Sequence, residues 1–489
     1  MIAHELDAAQ VRARGQWQHC RIVIEALATP AGIIDETLLR RLDVSGPRYT
    51  SYPTADRFVE AFGPQQYREA LGRRRHGPMA VAPLSVYVHV PFCESVCYYC
   101  ACNKIVTRQH DRASPYLDAL DAEARLHAEA FGGPQPVSQV HFGGGTPTFL
   151  DDAELSRLMA LLRRHFRIVD HAEASIEVDP RTVTVDRLSN LASLGFNRLS
   201  FGVQDFDPEV QKAVHRIQPL ESVQRLMQAA RGLGFGSINV DLIYGLPKQT
   251  GASFAQTIRS VTALKPDRIA LYAYAHLPQR FKPQRRIDAQ QLPPAAERIA
   301  MLGGAIGGFL DAGYEYIGMD HFALPNDSLA VAKRLGRLQR NFQGYSTQPD
   351  CDMIGLGVSS IGRVCAAYAQ NAKTLDEYYD AIHAGEFATV RGLALTRDDV
   401  LRRAVIMALM CQGRVEFESI EIGHLIDFRT TFASELESLR SLQEQGLVEL
   451  QPGAIQVTPL GWYFVRAVAM VFDRYLQADR TRERFSRII

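Results

Sequence analysis

The segment Cys93–Cys102 constrains this chain most, because it places four of the eight cysteines within ten residues, as Cys-x3-Cys-x2-Cys-x-Cys. Thiolates with the spacing of the first three can bind three irons of a cubane iron–sulfur cluster and leave the fourth iron open. A structural zinc site would need a second, distant pair of Cys or His ligands. The other cysteines are scattered, at Cys20, Cys351, Cys365 and Cys411. The spacing therefore favours a cluster over zinc and over a disulfide framework.

The composition is that of an ordinary globular protein, with 489 residues of which 46% are hydrophobic, enough for two or three domains. Lys plus Arg and Asp plus Glu both number 54, so no overall charge favours nucleic acid as a partner. The first twenty residues lack the apolar core of a signal peptide. No window approaches the ~18 apolar residues that would cross a membrane. We expect a cytoplasmic protein without a membrane span, in which thiols stay reduced.

Between residues 84 and 275, short β-rich runs alternate with helical stretches, the pattern of repeated βα units around a parallel sheet. Six strands are predicted, at Ser85–Val90, Ser138–Phe142, Ala174–Val178, Arg198–Gly202, Ile238–Ile243 and Arg268–Tyr274. Six such units suit a partial barrel as well as a doubly wound sheet. In both architectures a ligand binds at the carboxyl ends of the strands.

The character of the chain changes from about residue 376. A capping box is predicted at Thr396–Asp399, and a hairpin across Pro-Gly at Leu447–Val457. These features predict a small, mainly helical, winged-helix-like C-terminal domain. No basic stripe accompanies it, so we favour a lid or packing domain over a DNA-binding one. The predicted organisation is an N-terminal segment over 1–50, a catalytic domain over 51–375 and a C-terminal domain over 376–489.

Several strand ends carry residues suited to a ligand. Tyr87–Phe92 is an alternating run that ends at a proline and delivers the cysteines, and the glycines of Gly143–Thr148 would let a ligand approach the backbone. No Lys-Ser/Thr follows these glycines, which disfavours a phosphate loop. Asp or Glu side chains and an amide follow on later strands, at Glu177, Asp179, Gln204 and Asp241. Carboxylates and amides at successive strand ends could receive the amine and hydroxyls of a small polar cofactor.

Longer motifs extend these patterns over most of the chain. They are Ser45–Thr54, Tyr87–Cys102, Asn103–Thr107, Gly143–Thr148, Ile176–Pro180, Gly202–Asp205, Asn239–Pro247, Ala275–Pro278, Gly318–Phe322, Arg340–Gly344 and Phe485-Ser486. With these motifs the chain from about Leu38 to Ile489 resembles the oxygen-independent coproporphyrinogen III oxidase family, radical S-adenosylmethionine enzymes of haem synthesis. Residues 1–37 lie outside the resemblance, so Cys20 inherits no role.

The resemblance implies a partial (β/α)6 barrel that holds a [4Fe-4S] cluster on Cys93, Cys97 and Cys100, together with two S-adenosylmethionine molecules. The S-adenosylmethionine contacts of the family fall on Tyr87, Tyr99, Gly144, Gly145, Thr146, Glu177, Gln204, Arg216, Asp241, Ala275 and Ile361. It also implies that a 5′-deoxyadenosyl radical starts the decarboxylation of two propionates of coproporphyrinogen III, which become the vinyl groups of protoporphyrinogen IX. An unidentified electron donor and an electron acceptor would serve this reaction.

The chain departs from the family at two positions, with Tyr99 where Phe is usual and Ala101 where Gly is usual. A positive φ at Ala101 would cost of order 1 kcal/mol. Cys102 marks the oxidase branch, because chaperone-like relatives usually carry Phe there. The alternatives are such a haem chaperone without oxidase activity and a radical enzyme that opens or methylates a tetrapyrrole.

The substrate that the resemblance implies carries four carboxylates. We therefore expect arginines near the cleft, with Arg48, Arg216 and Arg340 as candidates, because a guanidinium pairs with a carboxylate through two hydrogen bonds. The even charge and the internal lid predict a monomer.

Overall fold

The computed structural model describes residues 46–478, so most of the predicted N-terminal segment and the Phe485-Ser486 motif lie outside the described residues. Within 46–478, no helix is long and apolar enough to cross a membrane. The strands are β1 Leu84–Val90, β2 Phe92–Cys93, β3 Ile105–Val106, β4 Pro136–Gly144, β5 Arg167–Val178, β6 Arg198–Gln204, β7 Ser237–Tyr244, β8 Arg268–Ala273, β9 Glu315–Gly318, β10 His321–Ala323, β11 Gln339–Asn341, β12 Gly344–Ser346, β13 Met353–Leu356, β14 Ile361–Val364, β15 Ala367–Asn371, β16 Thr389–Ala394, β17 Arg414–Glu416, β18 Val448–Gln451 and β19 Ala454–Val457.

The helices follow the same chain order. They are α1 Pro64–His76, α2 Ala113–Phe131, α3 Asp152–His165, α4 Val185–Ser193, α5 Pro208–Ala213, α6 Leu220–Gly232, α7 Gly251–Leu264, α8 Ala295–Asp311, α9 Ser328–Arg334, α10 Leu375–His383, α11 Arg397–Gln412, α12 Phe417–His424, α13 Phe428–Thr431, α14 Ala433–Glu444, α15 Pro459–Trp462, α16 Val465–Met470 and α17 Arg474–Ala478. Many begin at a side-chain cap, as α3 does with a capping box between Asp151 and Glu154.

One open sheet of twelve strands forms the core, in the order β16-β15-β14-β13-β1-β4-β5-β6-β7-β8-β10-β9. Its centre is parallel from β1 through β4, β5, β6 and β7 to β8. These six strands are the predicted ones, and the partial barrel is confirmed. Their apolar side chains are buried, as in Val86 and Val88 of β1. Since the strands are parallel, all their carboxyl ends lie at one edge.

The sheet extends beyond the predicted units on both sides. Strand β13 adds parallel to β1, and β14, β15 and β16 follow antiparallel. On the other side, β10 and β9 continue antiparallel from β8. Beside β1, helix α2 packs against α1, α3 and α10.

The C-terminal unit packs in a second apolar core, formed mainly by α11, α12 and α16 and shared with earlier residues such as Ile317 and Leu329. The predicted capping box at Thr396 and the predicted hairpin of β18 and β19 are both present. Together with β17 the hairpin forms a three-stranded sheet beside the helices. Strand β16 lies beyond residue 376 and still belongs to the main sheet. The exact domain boundary of 375/376 stays a prediction.

Candidate active site

A cavity of about 520 Å³ lies at the carboxyl edge of the parallel strands. Side chains from successive strands line it, among them Tyr87, His141, Glu177, Ser200, Asp241 and Tyr272. The opposite wall comes from the β11–β12 hairpin and from Ile361 on β14. Its volume falls within the range of small-molecule and cofactor sites.

The cysteine loop follows β1 at the rim of this cavity. Pro91 ends the strand, and the loop is held to the end of β4 because the Gly145 and Thr146 amides bond to the Val90 and Phe92 carbonyls at 2.8 Å. A Cβ on Gly145 would lie only 2.6 Å from the Pro91 carbonyl oxygen, so this position requires glycine. Gly145 was predicted to let a ligand approach the backbone. It also lets the cysteine loop pack closely against the end of β4.

The four thiols of the loop differ in exposure. Cys93 and Cys97 are buried, Cys100 is half-buried and Cys102 is exposed, and each is a free thiol. Cys102 lines the cavity. Within 46–478, no three His, Cys, Asp or Glu side chains are arranged so that they could hold a single metal ion. A four-iron cluster makes a different demand, because each cysteine binds its own iron.

Hydrogen-bond donors surround the two buried thiols. The Thr146 hydroxyl donates to Cys93 Sγ at 3.3 Å, and Arg216 Nη1 donates to Cys97 Sγ at 3.4 Å. Arg181 Nη2 lies 3.6 Å from the same sulfur. Donors of this kind stabilise thiolate sulfur, which is the form that binds iron. The donor set, with three free thiols on one loop, fits a cluster.

Arg216 is fully engaged at the cysteine loop. Its Nη1 also pairs with Asp179 at 3.2 Å, and Nη2 donates to the Gly202 carbonyl at 2.5 Å. Burial by itself would raise the pKa of Asp179, but Arg216 and Arg181 hold it below its ordinary value. This guanidinium therefore lies beside the sulfur ligands and does not line the large cavity.

A polar network covers the cavity wall between β1 and β5. Tyr87 stacks on His141 with ring centroids 5.9 Å apart, and its hydroxyl bonds to His89 Nδ1 at 3.1 Å. Glu177 accepts from the Gly144 amide at 3.2 Å and lies 3.4 Å from His141 Nε2. Burial by itself would raise the pKa of Glu177. The hydrogen bond and the electrostatic interaction with His141 outweigh burial, so the pKa of this carboxyl lies below its ordinary value. Glu177 thus presents a carboxylate to the cavity, and this carboxylate could accept hydrogen bonds from the amine of a ligand.

A second carboxylate faces the same space from β7. Asp241 accepts from the Ser200 hydroxyl at 3.0 Å and from the Asn239 amide at 2.8 Å. Burial, together with the negative charge of Glu177, raises the pKa of Asp241 to about 6. This half-buried carboxyl can accept hydrogen bonds from hydroxyl groups, or pair with a positive charge, on a ligand in the cavity.

The remaining predicted residues lie around the cysteine loop. Gln284 bonds to the carbonyls of both Tyr99 and Ala275, at 3.0 and 3.2 Å, which joins the loop to the end of β8. Gln204 has a φ of +69°, and its amide nitrogen would meet a Cβ on Gly202 at 2.9 Å. This strained end of β6 lies beside Arg216.

The structure therefore divides the predicted cofactor residues between two places. Tyr87, Gly144, Glu177, Asp241 and Ile361 line the cavity. Tyr99, Gly145, Thr146, Gln204, Arg216 and Ala275 do not line it, and the contacts above tie most of them to the cysteine loop. The predictions missed His141, Asn239 and Gln284. His141 could have been found from period-two alternation, because it lies two residues before Gly143 on β4. Gln284 has no comparable signal.

Comparisons with known proteins define the class. Residues 87–261 match the model of the Radical SAM superfamily, and residues 395–464 match the HemN C-terminal domain. The structure resembles that of coproporphyrinogen III oxidase from Escherichia coli, described as a radical SAM enzyme, with a TM-score of 0.86 and 48% identity over 90% of this chain and 99% of that chain. The chain is thus a radical S-adenosylmethionine enzyme, a class that carries a [4Fe-4S] cluster and S-adenosylmethionine.

The curated relatives narrow the class further. The oxygen-independent coproporphyrinogen III oxidases of Pseudomonas aeruginosa and Escherichia coli are each 49% identical to this chain, over 93% of it and 98% of the relative. That of Synechocystis is 41% identical over 92% of the chain. The chain belongs to the oxygen-independent coproporphyrinogen III oxidase family.

Proposed function

We propose that this protein catalyses the anaerobic oxidative decarboxylation of two propionate side chains of coproporphyrinogen III, giving the vinyl groups of protoporphyrinogen IX. The observation that carries the proposal is the 49% identity to oxidases of this name over nearly their whole length. Each propionate loses one hydrogen atom from its β-carbon, carbon dioxide and one further electron. The last electron needs an acceptor, and the cluster needs a separate electron donor.

Cys93, Cys97 and Cys100 are the residues that would hold the cluster. When bound, the cluster and S-adenosylmethionine supply the one-electron chemistry that removes the hydrogen atom. Thr146 and Arg216 donate hydrogen bonds to Cys93 and Cys97, which stabilises the thiolates against protonation. Thr146 and Arg216 thereby influence the charge environment that the cluster would have.

The cavity side chains orient the organic ligands. Glu177 and Asp241 offer carboxylates to amine and hydroxyl groups, and Ile361 offers an apolar surface. Their arrangement supports S-adenosylmethionine binding at both the cavity and the cysteine loop, in line with two molecules. Holding the two organic ligands in a fixed arrangement limits side reactions of the reactive species.

An anaerobic assay of the reconstituted protein tests the function. With a reductant, S-adenosylmethionine and coproporphyrinogen III, we expect protoporphyrinogen IX, detected after oxidation as protoporphyrin IX by chromatography. A Cys97→Ser variant is the matched control and should give none. Cleavage of S-adenosylmethionine without any protoporphyrinogen would contradict the proposal. Tight binding of haem in its place would identify a haem chaperone.

We also propose that the protein acts as a cytoplasmic monomer without nucleic acid. The equal number of 54 acidic and 54 basic residues supports the absence of a nucleic-acid partner. Sedimentation of the holoenzyme at micromolar concentration tests the monomeric state: a dimer mass would overturn it.

A further inference from the structure

A second, small cavity lies behind the β11–β12 hairpin. It has a volume of about 20 Å³, enough for one water-sized group. Among the described residues that line it are three arginines, Arg340, Arg363 and Arg403, and a single acidic residue, Asp350. Two positive charges are therefore left without a matching carboxylate around this space.

Asp350 is already shared by two of these arginines. Arg363 Nη2 lies 2.6 Å from its Oδ1, while Arg403 binds both carboxylate oxygens at 2.8 Å. Both carboxylate oxygens are thus already bonded to arginines, and Arg340 forms no ion pair with Asp350. Arg340 instead donates its Nε to the Arg48 carbonyl at 3.1 Å, and its guanidinium lies 4.7 Å from the centre of the Tyr345 ring.

Two buried donors at this cavity have no hydrogen-bond partner among residues 46–478. They are Arg340 Nη1 and Arg403 Nε. Arg340 as a whole is only 5% exposed, and the Arg403 side chain also interacts with the Tyr368 hydroxyl at the same cavity. A buried charged donor that stays unsatisfied costs more than a neutral one. The guanidinium groups here outnumber the carboxylates, and two of them carry such donors. This arrangement points to an anionic ligand whose oxygens accept hydrogen bonds.

The small cavity is a neighbour of the large one. Asn341, Phe342, Ser346 and Met353 line both spaces. Tyr345, on which Arg340 stacks, lines the large cavity. A ligand in the large cavity that carries a flexible acidic arm could thus place the end of that arm beside Arg340.

We propose that Arg340 and Arg403 form a carboxylate-binding pocket that anchors one propionate side chain of the tetrapyrrole. This inference rests on the proposed function, since that substrate has four propionates. The pocket admits only the end of the arm, because its volume suits a single oxygen-sized group. A propionate held here would be kept from reaction, so the pocket helps to decide which side chains are presented to the cofactor. The same chemistry could serve the carboxylate of S-adenosylmethionine, and the experiment distinguishes the two.

Equilibrium binding of coproporphyrin III, the fluorescent oxidised form of the substrate, tests the pocket. In the reconstituted full chain, Arg340→Gln and Arg403→Gln should each raise the Kd of coproporphyrin III by about tenfold or more, the effect of losing a charge-assisted hydrogen bond. Arg340→Lys keeps the charge and should recover part of the affinity. The Kd of S-adenosylmethionine should stay unchanged, which also shows that the variants are folded. Arg157→Gln removes an exposed arginine that pairs with Asp118 and is the matched control.

A second arm changes the ligand by esterifying its carboxylates. The wild-type protein should bind the tetramethyl ester of coproporphyrin III about tenfold or more weakly than the free acid, and the Gln variants should bind the ester as the wild type does. Equal wild-type affinities for acid and ester would overturn the inference. So would Gln variants that bind coproporphyrin III normally, or that lose S-adenosylmethionine affinity instead. In each of these cases protoporphyrinogen formation by the wild type would persist, whereas failure of the proposed function would abolish it.

Discussion

Arg216 and Asp179 form a buried ion pair, with the arginine Nη1 3.2 Å from the carboxylate Oδ2 and 3.4 Å from Cys97 Sγ. Each of the two residues is 7% exposed. The pair connects the end of β5 to the cysteine loop, so the charge beside a predicted cluster ligand is set by a residue from a different part of the chain.

Replacement of Asp179 by Asn should destabilise the protein by about 3 kcal/mol at neutral pH, because it leaves a buried arginine without its counter-ion. The folded pKa of Asp179 is lowered, so its stabilising effect is present above the ordinary value of 3.8 and is lost as the pH falls through the folded pKa. Urea unfolding of both proteins at several pH values measures the difference.

The matched control is Asp118→Asn, which removes an exposed partner of Arg157. A surface pair of this kind contributes about 0–1 kcal/mol. Equal losses of unfolding free energy in the two variants would show that the buried pair stabilises the protein no more than a surface pair does.

Replacement of Gly145 by Ala should displace the cysteine loop. The new Cβ would meet the carbonyl oxygens of Pro91 and Phe92 at 2.6 and 2.8 Å, and backbone atoms yield little. We expect a loss of roughly 1–3 kcal/mol in stability and a lower iron content after anaerobic reconstitution. Gly303→Ala in α8 is the control, since a Cβ there would meet no atom of residues 46–478 within 4 Å. It should leave iron content unchanged and slightly raise the melting temperature. A normal iron content in both variants would argue against a tight fit at Gly145.

Single serine replacements should separate the ligands from the other cysteines. Cys93→Ser, Cys97→Ser and Cys100→Ser should each reduce iron and acid-labile sulfide strongly, while Cys102→Ser and Cys365→Ser should retain them. The paramagnetic resonance signal of the reduced wild-type protein should change when S-adenosylmethionine is added. A cluster that persists in the first three variants, or a signal that does not change, would refute the assignment.

Stability should also depend on a buried carboxyl away from the cavity. Glu123 on α2 is 1% exposed and accepts hydrogen bonds from Gly357, Tyr378 and Asn371 at 2.6 to 2.7 Å. Burial raises its pKa from 4.5 to about 7. The folded state therefore binds the proton more tightly than the unfolded state, and stability from this group falls as the pH rises from about 4.5 to 7.

Glu123→Gln removes this titration. The unfolding free energy of the wild type minus that of the variant should fall by roughly 3 kcal/mol over that pH range. Glu129→Gln, an exposed position on the same helix that pairs with Arg125, should show no such trend. A pH-independent difference for Glu123→Gln would mean that the carboxyl ionises normally.

The central sheet could be predicted because its signals are local. The six parallel strands are short apolar runs separated by helical stretches, and β18 and β19 are joined by a Pro-Gly turn. Strands β13 to β16 were missed, because they are short and continue the sheet by pairing that depends on distant residues. Met353, for example, is placed beside Ser85 more than two hundred positions earlier.

In the candidate site, too, the residues with local sequence signals could be predicted, and those that depend on distant partners could not. Strand-end residues such as Glu177 and Asp241 could be predicted, because parallel strands bring their carboxyl ends to one edge. The placement of Arg216 was less predictable, since its partners Asp179 and Cys97 lie on separate segments. The predicted cleft arginines also divided, with Arg216 at the cysteine loop and Arg340 behind the hairpin.

By itself, the sequence determined the kind of chemistry, since three closely spaced thiols and the strand-end motifs are contiguous patterns that carry their own meaning. Only the tertiary structure decided how the predicted cofactor residues divide between the cavity and the cysteine loop. It also decided that Arg363 and Arg403 share Asp350, while Arg340 lines the same small cavity without pairing with that carboxylate. These relationships depend on burial and on distances of a few ångströms between remote segments, and neither is written in the local order of residues.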